Sequence, residues 1–162
     1  MARTPVNPRA LTESLPLRKM RAANSQTWKN GQIGALSSGT IIPNSTASAT
    51  NAYCQFAEDQ ATSTSSSDVC VRLLEDGAEF EISCYATNQV SAIATSNIGS
   101  RYGIITVSNV TYLDLDTANG QFEVIELASS YMPERSTYDG SFDGTTGTTA
   151  GLCKVKFRKN VS

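Results

Sequence analysis

From Trp28 onward, apolar and polar residues alternate in short runs separated by Gly, Asn, Asp, Ser and Thr. Period-two alternation puts every second side chain on one face of an extended chain, so each run predicts a half-buried strand. The clearest runs from Leu152 to Arg158, with Cys153, Val155 and Phe157 on one face and Lys154, Lys156 and Arg158 on the other. In Ala78 to Tyr85 the inward set is Phe80, Ile82 and Cys84, and Glu79 and Glu81 point outward. A one-residue slip would bury both glutamates unpaired, which fixes the register. Further strands are predicted over Gln32 to Leu36, Thr40 to Pro43, Ala52 to Phe56, Val69 to Leu74, Tyr102 to Val107, Thr111 to Asp116 and Gln121 to Ala128. Ser37-Ser38-Gly39, Glu75-Asp76-Gly77 and Asn119-Gly120 read as hairpin turns. Residues 88–100 fit a single helical turn or a folded loop.

The expected fold is therefore all-β. Residues 29–162 are expected to form a small antiparallel β-barrel or sandwich of about eight or nine short strands. Residues 1–28 read differently, because Pro5, Pro8 and Pro16 fall among sparse apolar positions and no core of their own is available. This segment is expected to be an extended basic N-terminal arm. Ser14-Leu15-Pro16 predicts the cap of a short basic helix through Asn24. Fully extended, the arm would span roughly 90 Å at about 3.3 Å per residue. The body has an expected radius of gyration near ~14 Å, so such an arm would reach a neighbouring molecule.

Composition narrows the chemistry. The 162 residues contain no histidine, which removes Ser-His-Asp and Cys-His nucleophiles and imidazole metal sites together. The four cysteines have no C-x-x-C spacing, and free thiols are expected. Cys54, Cys84 and Cys153 are in phase with core positions and Cys70 is not. Asp114 to Gly120 reads as a strand end and turn, since its oxygen ligands do not follow calcium-loop spacing. The acidic pairs Glu79/Glu81 and Glu123/Glu126 have the residue types of a glycosidase, but few aromatics remain to line a sugar cleft. No catalytic, cofactor-binding or metal-binding residue is expected, and the chain is not expected to be an enzyme. Thr62 to Ser67 and Thr145 to Gly151 read as exposed loops. No apolar stretch suits a secretory h-region or a membrane span, so neither a membrane nor a secretory route is expected.

Charge changes the picture most. The net charge of −2 conceals a partition: residues 1–30 carry Arg3, Arg9, Arg18, Lys19, Arg21 and Lys29 against Glu13, and Lys154, Lys156, Arg158 and Lys159 lie at the other end. Between them, residues 31–153 hold three basic and fourteen acidic residues. Such asymmetry concerns partners more than fold. The basic residues of the first segment are too dispersed, and aromatics too few, for a nucleic-acid tail.

Several segments then occur in a telling order: Ile98-Gly99-Ser100-Arg101-Tyr102-Gly103-Ile104, Tyr112-Leu113-Asp114-Leu115-Asp116, Gln121-Phe122-Glu123-Val124-Ile125-Glu126-Leu127 and Cys153-Lys154-Val155-Lys156-Phe157. With Trp28-Lys29-Asn30-Gly31-Gln32 as a weaker echo, the order resembles the capsid decoration, or cement, proteins of tailed bacteriophages. The resemblance implies a structural virion protein, made in the host cytoplasm and carried on the outer surface of the capsid. It implies a homotrimer at three-fold and quasi-three-fold positions, with the major capsid protein and its own copies as partners. In such proteins the N-terminal arm lies along the shell, so Arg3, Arg9, Arg18, Lys19, Arg21 and Trp28 are the expected anchoring residues, without cofactor. The alternative expectation is a tail-associated or receptor-binding β domain that recognises surface glycans through its polar loops.

Overall fold

The computed structural model describes residues 6–60, 63, 68–128 and 151–159, and over them the protein is built from strands. In chain order these are β1 (Arg9–Ala10), β2 (Leu17–Arg21), β3 (Ile33–Ser37), β4 (Thr40–Pro43), β5 (Cys54–Phe56), β6 (Asp68–Leu73), β7 (Glu79–Ala86), β8 (Gln89–Val90), β9 (Arg101–Val107), β10 (Val110–Ala118), β11 (Phe122–Leu127) and β12 (Leu152–Phe157). A single 3₁₀ turn at Thr95–Asn97 occupies the stretch expected to hold a helical turn or loop.

Two sheets result. In the first, β7 pairs antiparallel with β12 and parallel with β10, β10 with β9, β9 with β11, and β11 with β12. Those five strands return to their starting point and close a small barrel, which removes the open edges. β1 and β8 add to β7 outside the ring. The second sheet runs β2-β6-β5-β3-β4. It curls until Ala22 bridges Ile41, and the Ala23 amide donates to the Ile41 carbonyl at 3.0 Å.

Each sheet encloses its own apolar cluster. The barrel is filled by the predicted inward stripes: Phe80, Ile82 and Cys84 of β7 and Cys153, Val155 and Phe157 of β12 are all buried. Phe122 of β11 packs against Phe157 and Phe80, with ring centroids 5.4 and 6.3 Å away. Tilted and edge-on contacts of this kind add to the area they bury. The second sheet wraps Trp28, Ile41, Cys54, Phe56, Val69 and Val71. Leu15, Ile33, Ala52 and Leu74 belong to the barrel's cluster, so the two halves share a packed interface. Polar contacts also cross it: the Ile33 amide donates to Thr111 Oγ1 at 3.1 Å, and the Ala52 amide to Gln121 Oε1 at 2.9 Å.

Several expectations need correction. The short basic helix from Ser14 to Asn24 is not formed; residues 17–21 are β2, pairing antiparallel with β6 from Leu17↔Arg72 to Arg21↔Asp68. Over residues 6–28 the chain is extended but not a free arm. It contributes β1 to one sheet and β2 to the other, and Leu15, Ala22 and Trp28 to the interior. The turn at 75–77 joins β6 to β7 across the two sheets, and that at 119–120 carries the chain over the end of β9 from one flank to the other; neither closes a hairpin. The true hairpins follow Ser37-Ser38-Gly39, as expected, and also Thr87-Asn88 and Ser108-Asn109, which enter left-handed conformations without glycine. The Ser/Thr-rich segments at 62–67 and 145–151 lie outside the described residues except for Ser63 and Gly151, and both of these are buried.

Candidate binding surface

Ion pairing among the strands accounts for much of the charge partition. β12 lies between β7 and β11, so its cations face the glutamates of both neighbours. Lys154 bonds Glu126 at 2.8 Å, Lys156 lies 3.8 Å from Glu79, and Arg158 bonds Glu123 at 2.7 Å. Three of the four carboxylates with the residue types of a glycosidase, Glu79, Glu123 and Glu126, are thus cross-strand partners of the basic closing strand. Such pairs, partly exposed, contribute about 0.2–1 kcal/mol each. Arg9 of β1 lies 3.5 Å from the buried Glu81, and Lys29 lies 3.5 Å from Asp59. The Asn30 amide donates to Asp59 at 2.7 Å; this bond, with Lys29 beside it, holds the exposed carboxyl below its ordinary range.

What remains is a cluster. Arg18, Lys19 and Arg21 of β2 and Arg72 of β6 form no ion pair among the described residues. The register explains why they gather. Lys19 and Arg21 lie opposite Cys70 and Asp68, on the outer face that Leu17 and Arg72 also share. Arg18 and Met20 face the side of Val71 and Val69; Met20 packs against the core, while Arg18 stays exposed. Lys19, Arg21 and Arg72 therefore share the outer face of two adjoining strands, with Asp68 as the carboxylate opposite Arg21, and Arg18 is exposed on the other side of β2. The field of such charges reaches about 8 Å, the Debye length at physiological salt.

Of the expected anchoring residues, then, Arg18, Lys19 and Arg21 come together on one strand. Arg9 is on the other sheet, engaged with Glu81. Arg3 lies outside the described residues. Trp28 cannot anchor a partner: it is fully buried and stacked on Phe56, with ring centroids 4.5 Å apart. Its place beside a basic segment suggested an exposed role, but the alternation that buries Ile33 and Phe56 also needs a large group to fill the curled sheet. Arg72 was not singled out from sequence. Its only signal was its phase, opposite to Val69 and Val71 in an otherwise apolar run.

No helix among the described residues is long and apolar enough to cross a membrane. The four cysteines are free thiols. No protein-family model matches the chain, and comparison with curated proteins gives no match.

Proposed function

We propose that this chain is a structural, non-enzymatic protein that decorates the outside of an assembled phage head, with the major capsid protein and its own copies in a homotrimer as partners. The observation that carries the reading is the group of cations without an ion pair among the described residues, Arg18, Lys19 and Arg21, displayed on a strand of an otherwise acidic protein. A supporting observation concerns the segments that resemble cement proteins: they supply β9, β10, β11 and β12, four of the five strands of the closed barrel. Their order along the chain thus has one structural cause. Attachment would run through the cationic strand β2 rather than a loose arm. Binding only the assembled lattice shifts assembly equilibria toward the shell, and several weak contacts per trimer combine through effective concentration. No bond is made or broken.

The test is co-sedimentation with expanded heads assembled without this protein. Wild-type protein is expected to pellet with heads, less so as salt rises, and the R18E/K19E/R21E variant to stay in the supernatant while retaining native Trp28 fluorescence. Undiminished binding of that variant overturns the assignment of the face. Immunogold label at the tail tip instead of the head would overturn the decoration reading in favour of a glycan-recognising tail domain.

A further inference from the structure

Gly31 has a left-handed backbone (φ +89°), and a Cβ there would lie 2.8 Å from Cβ of Asn7. Only glycine lets this turn press against the N-terminal segment so closely. Asn7 then ties three pieces of chain together. Its Nδ2 donates to the carbonyls of Asn109 (3.0 Å) and Asn30 (3.3 Å), and its Oδ1 accepts from the Thr111 amide at 2.9 Å. Beside it Gln55, only 2% exposed, donates Nε2 to the carbonyls of Pro8 (2.6 Å) and Gly31 (3.1 Å). These bonds fix the walls of an open cleft of about 820 Å³ between the N-terminal segment, the 29–31 turn, the outer face of β5 and β6, and the β9–β10 turn. Such a volume is in the usual range for ligand sites, and walls pinned in advance lower the entropy cost of binding.

The lining is cationic, with Arg9, Lys29 and Arg72 set against Glu13. Among the described residues, Arg9 and Lys29 have carboxylate partners only at 3.5 Å, and Arg72, half-buried, has none. A half-buried guanidinium is screened less than one in open water, and its planar fork matches a carboxylate with two parallel hydrogen bonds. No aromatic side chain among the described residues lines the cleft, so it offers no ring on which a nucleobase or sugar could stack. The walls do offer turn backbone at Asn30 and Asn109 and small apolar surfaces at Val6 and Val110, which suit an extended peptide.

We propose that this cleft binds an acidic peptide segment of a partner protein, with Arg72 taking one carboxylate through its fork and Arg9 and Lys29 holding a second. Glu13 repels acidic residues at its own end, so the ligand's carboxylates are confined to the other. The inference does not depend on the partner's being a capsid protein; the cleft adjoins the outer face of β2 through Arg72, but no β2 side chain lines it.

The experiment is a titration of the full ¹⁵N-labelled chain with acetyl-Asp-Glu-Gly-Asp-Glu-amide, followed by NMR. Saturable shifts are expected at Asn30, Ser108, Asn109 and the Arg72 Nε. Arg72→Gln should weaken binding about fivefold or more, and Arg72→Lys, which keeps the charge without the fork, by an intermediate factor. The Asn-Gln isostere of the peptide should bind at least about tenfold more weakly. The R18Q/K19Q/R21Q variant should bind within about twofold of wild type, which separates this site from the β2 face. The proposal is overturned by equal binding of the isostere, by an Arg72→Gln variant of wild-type affinity, by shifts centred on β2, or by no saturable shift up to about 5 mM peptide. Inorganic phosphate reproducing the peptide's shifts at the same concentration would also overturn it, by making the cleft a small-anion site.

Discussion

Cys54 illustrates what a buried thiol contributes at the scale of one residue. It is fully buried in the second apolar cluster, and burial pushes its pKa up from the ordinary 9.0 to about 12. A bond with the Gly34 backbone opposes the shift only in part. Because the folded state holds the neutral thiol, its contribution is complete below pH 9 and is lost as pH rises toward 12. The expected loss is on the order of 4 kcal/mol across that window. Denaturant unfolding from pH 8 to 12 should therefore fall more steeply for wild type than for Cys54→Ala; parallel curves would contradict this. The role of Cys54 was legible in the sequence, because its phase within Ala52 to Phe56 matched the core. That of Trp28 was not: size and hydrophobicity are the same for a core filler and a surface anchor, and only the curl of the sheet decides between them.

At the scale of elements, the strands with full alternation were readable and those shaped by their partners were not. β7 and β12 carry three inward apolar residues each and appear where expected. β2 offers only Met20 on its inner side after Arg18, with Ala22 just past its end, too short a stripe to read as period two. β1 and β8 have two residues each, and their pairing comes from β7 rather than from their own sequence. Turn chemistry was legible as bending but not as connectivity. Asn119 does turn the chain in a left-handed conformation (φ +57°), yet the next strand joins the opposite flank of β9. That crossing depends on Gly120, where a Cβ would lie 2.1 Å from the carbonyl carbon of Tyr102. Gly120→Ala must displace β9 or open the corner, at a cost of about 3 kcal/mol or more. Thermal denaturation checks this; an unchanged midpoint would show that the corner relaxes freely. The bulge before it is held by Asp114, whose Oδ1 accepts from the Asp116 amide at 3.1 Å and whose Oδ2 accepts from the Thr117 hydroxyl. The residues that faintly resembled a calcium loop are thus occupied in shaping a strand.

On the scale of the whole molecule, the two basic ends of the sequence have different uses. The closing strand's cations are paired with neighbouring strands, whereas β2 keeps its cations for solvent or a partner. The charge arithmetic revealed the partition, but only the pairing reveals which half is free. The incorporation of residues 9–28 into both sheets also changes what truncation does. Deleting residues 1–27 removes one strand from each sheet, together with Leu15 and Ala22, and leaves Trp28 without its cover. Such a variant should show red-shifted Trp28 emission and lose cooperative unfolding. A native-like emission maximum would instead mean that the remaining strands fold without it.

The position of β7 has a consequence during synthesis. β1 and β12 bond opposite sides of it at Glu81, from residues more than seventy positions apart on either side. The second sheet can form once β6 has left the ribosome, since all its strands precede residue 74. The barrel cannot: until residue 157 emerges, β7 and β11 expose the edges that β12 will cover, and pairing over long sequence separation is slow. During that interval every strand of the second sheet is already available, while the barrel still lacks the strand that closes it.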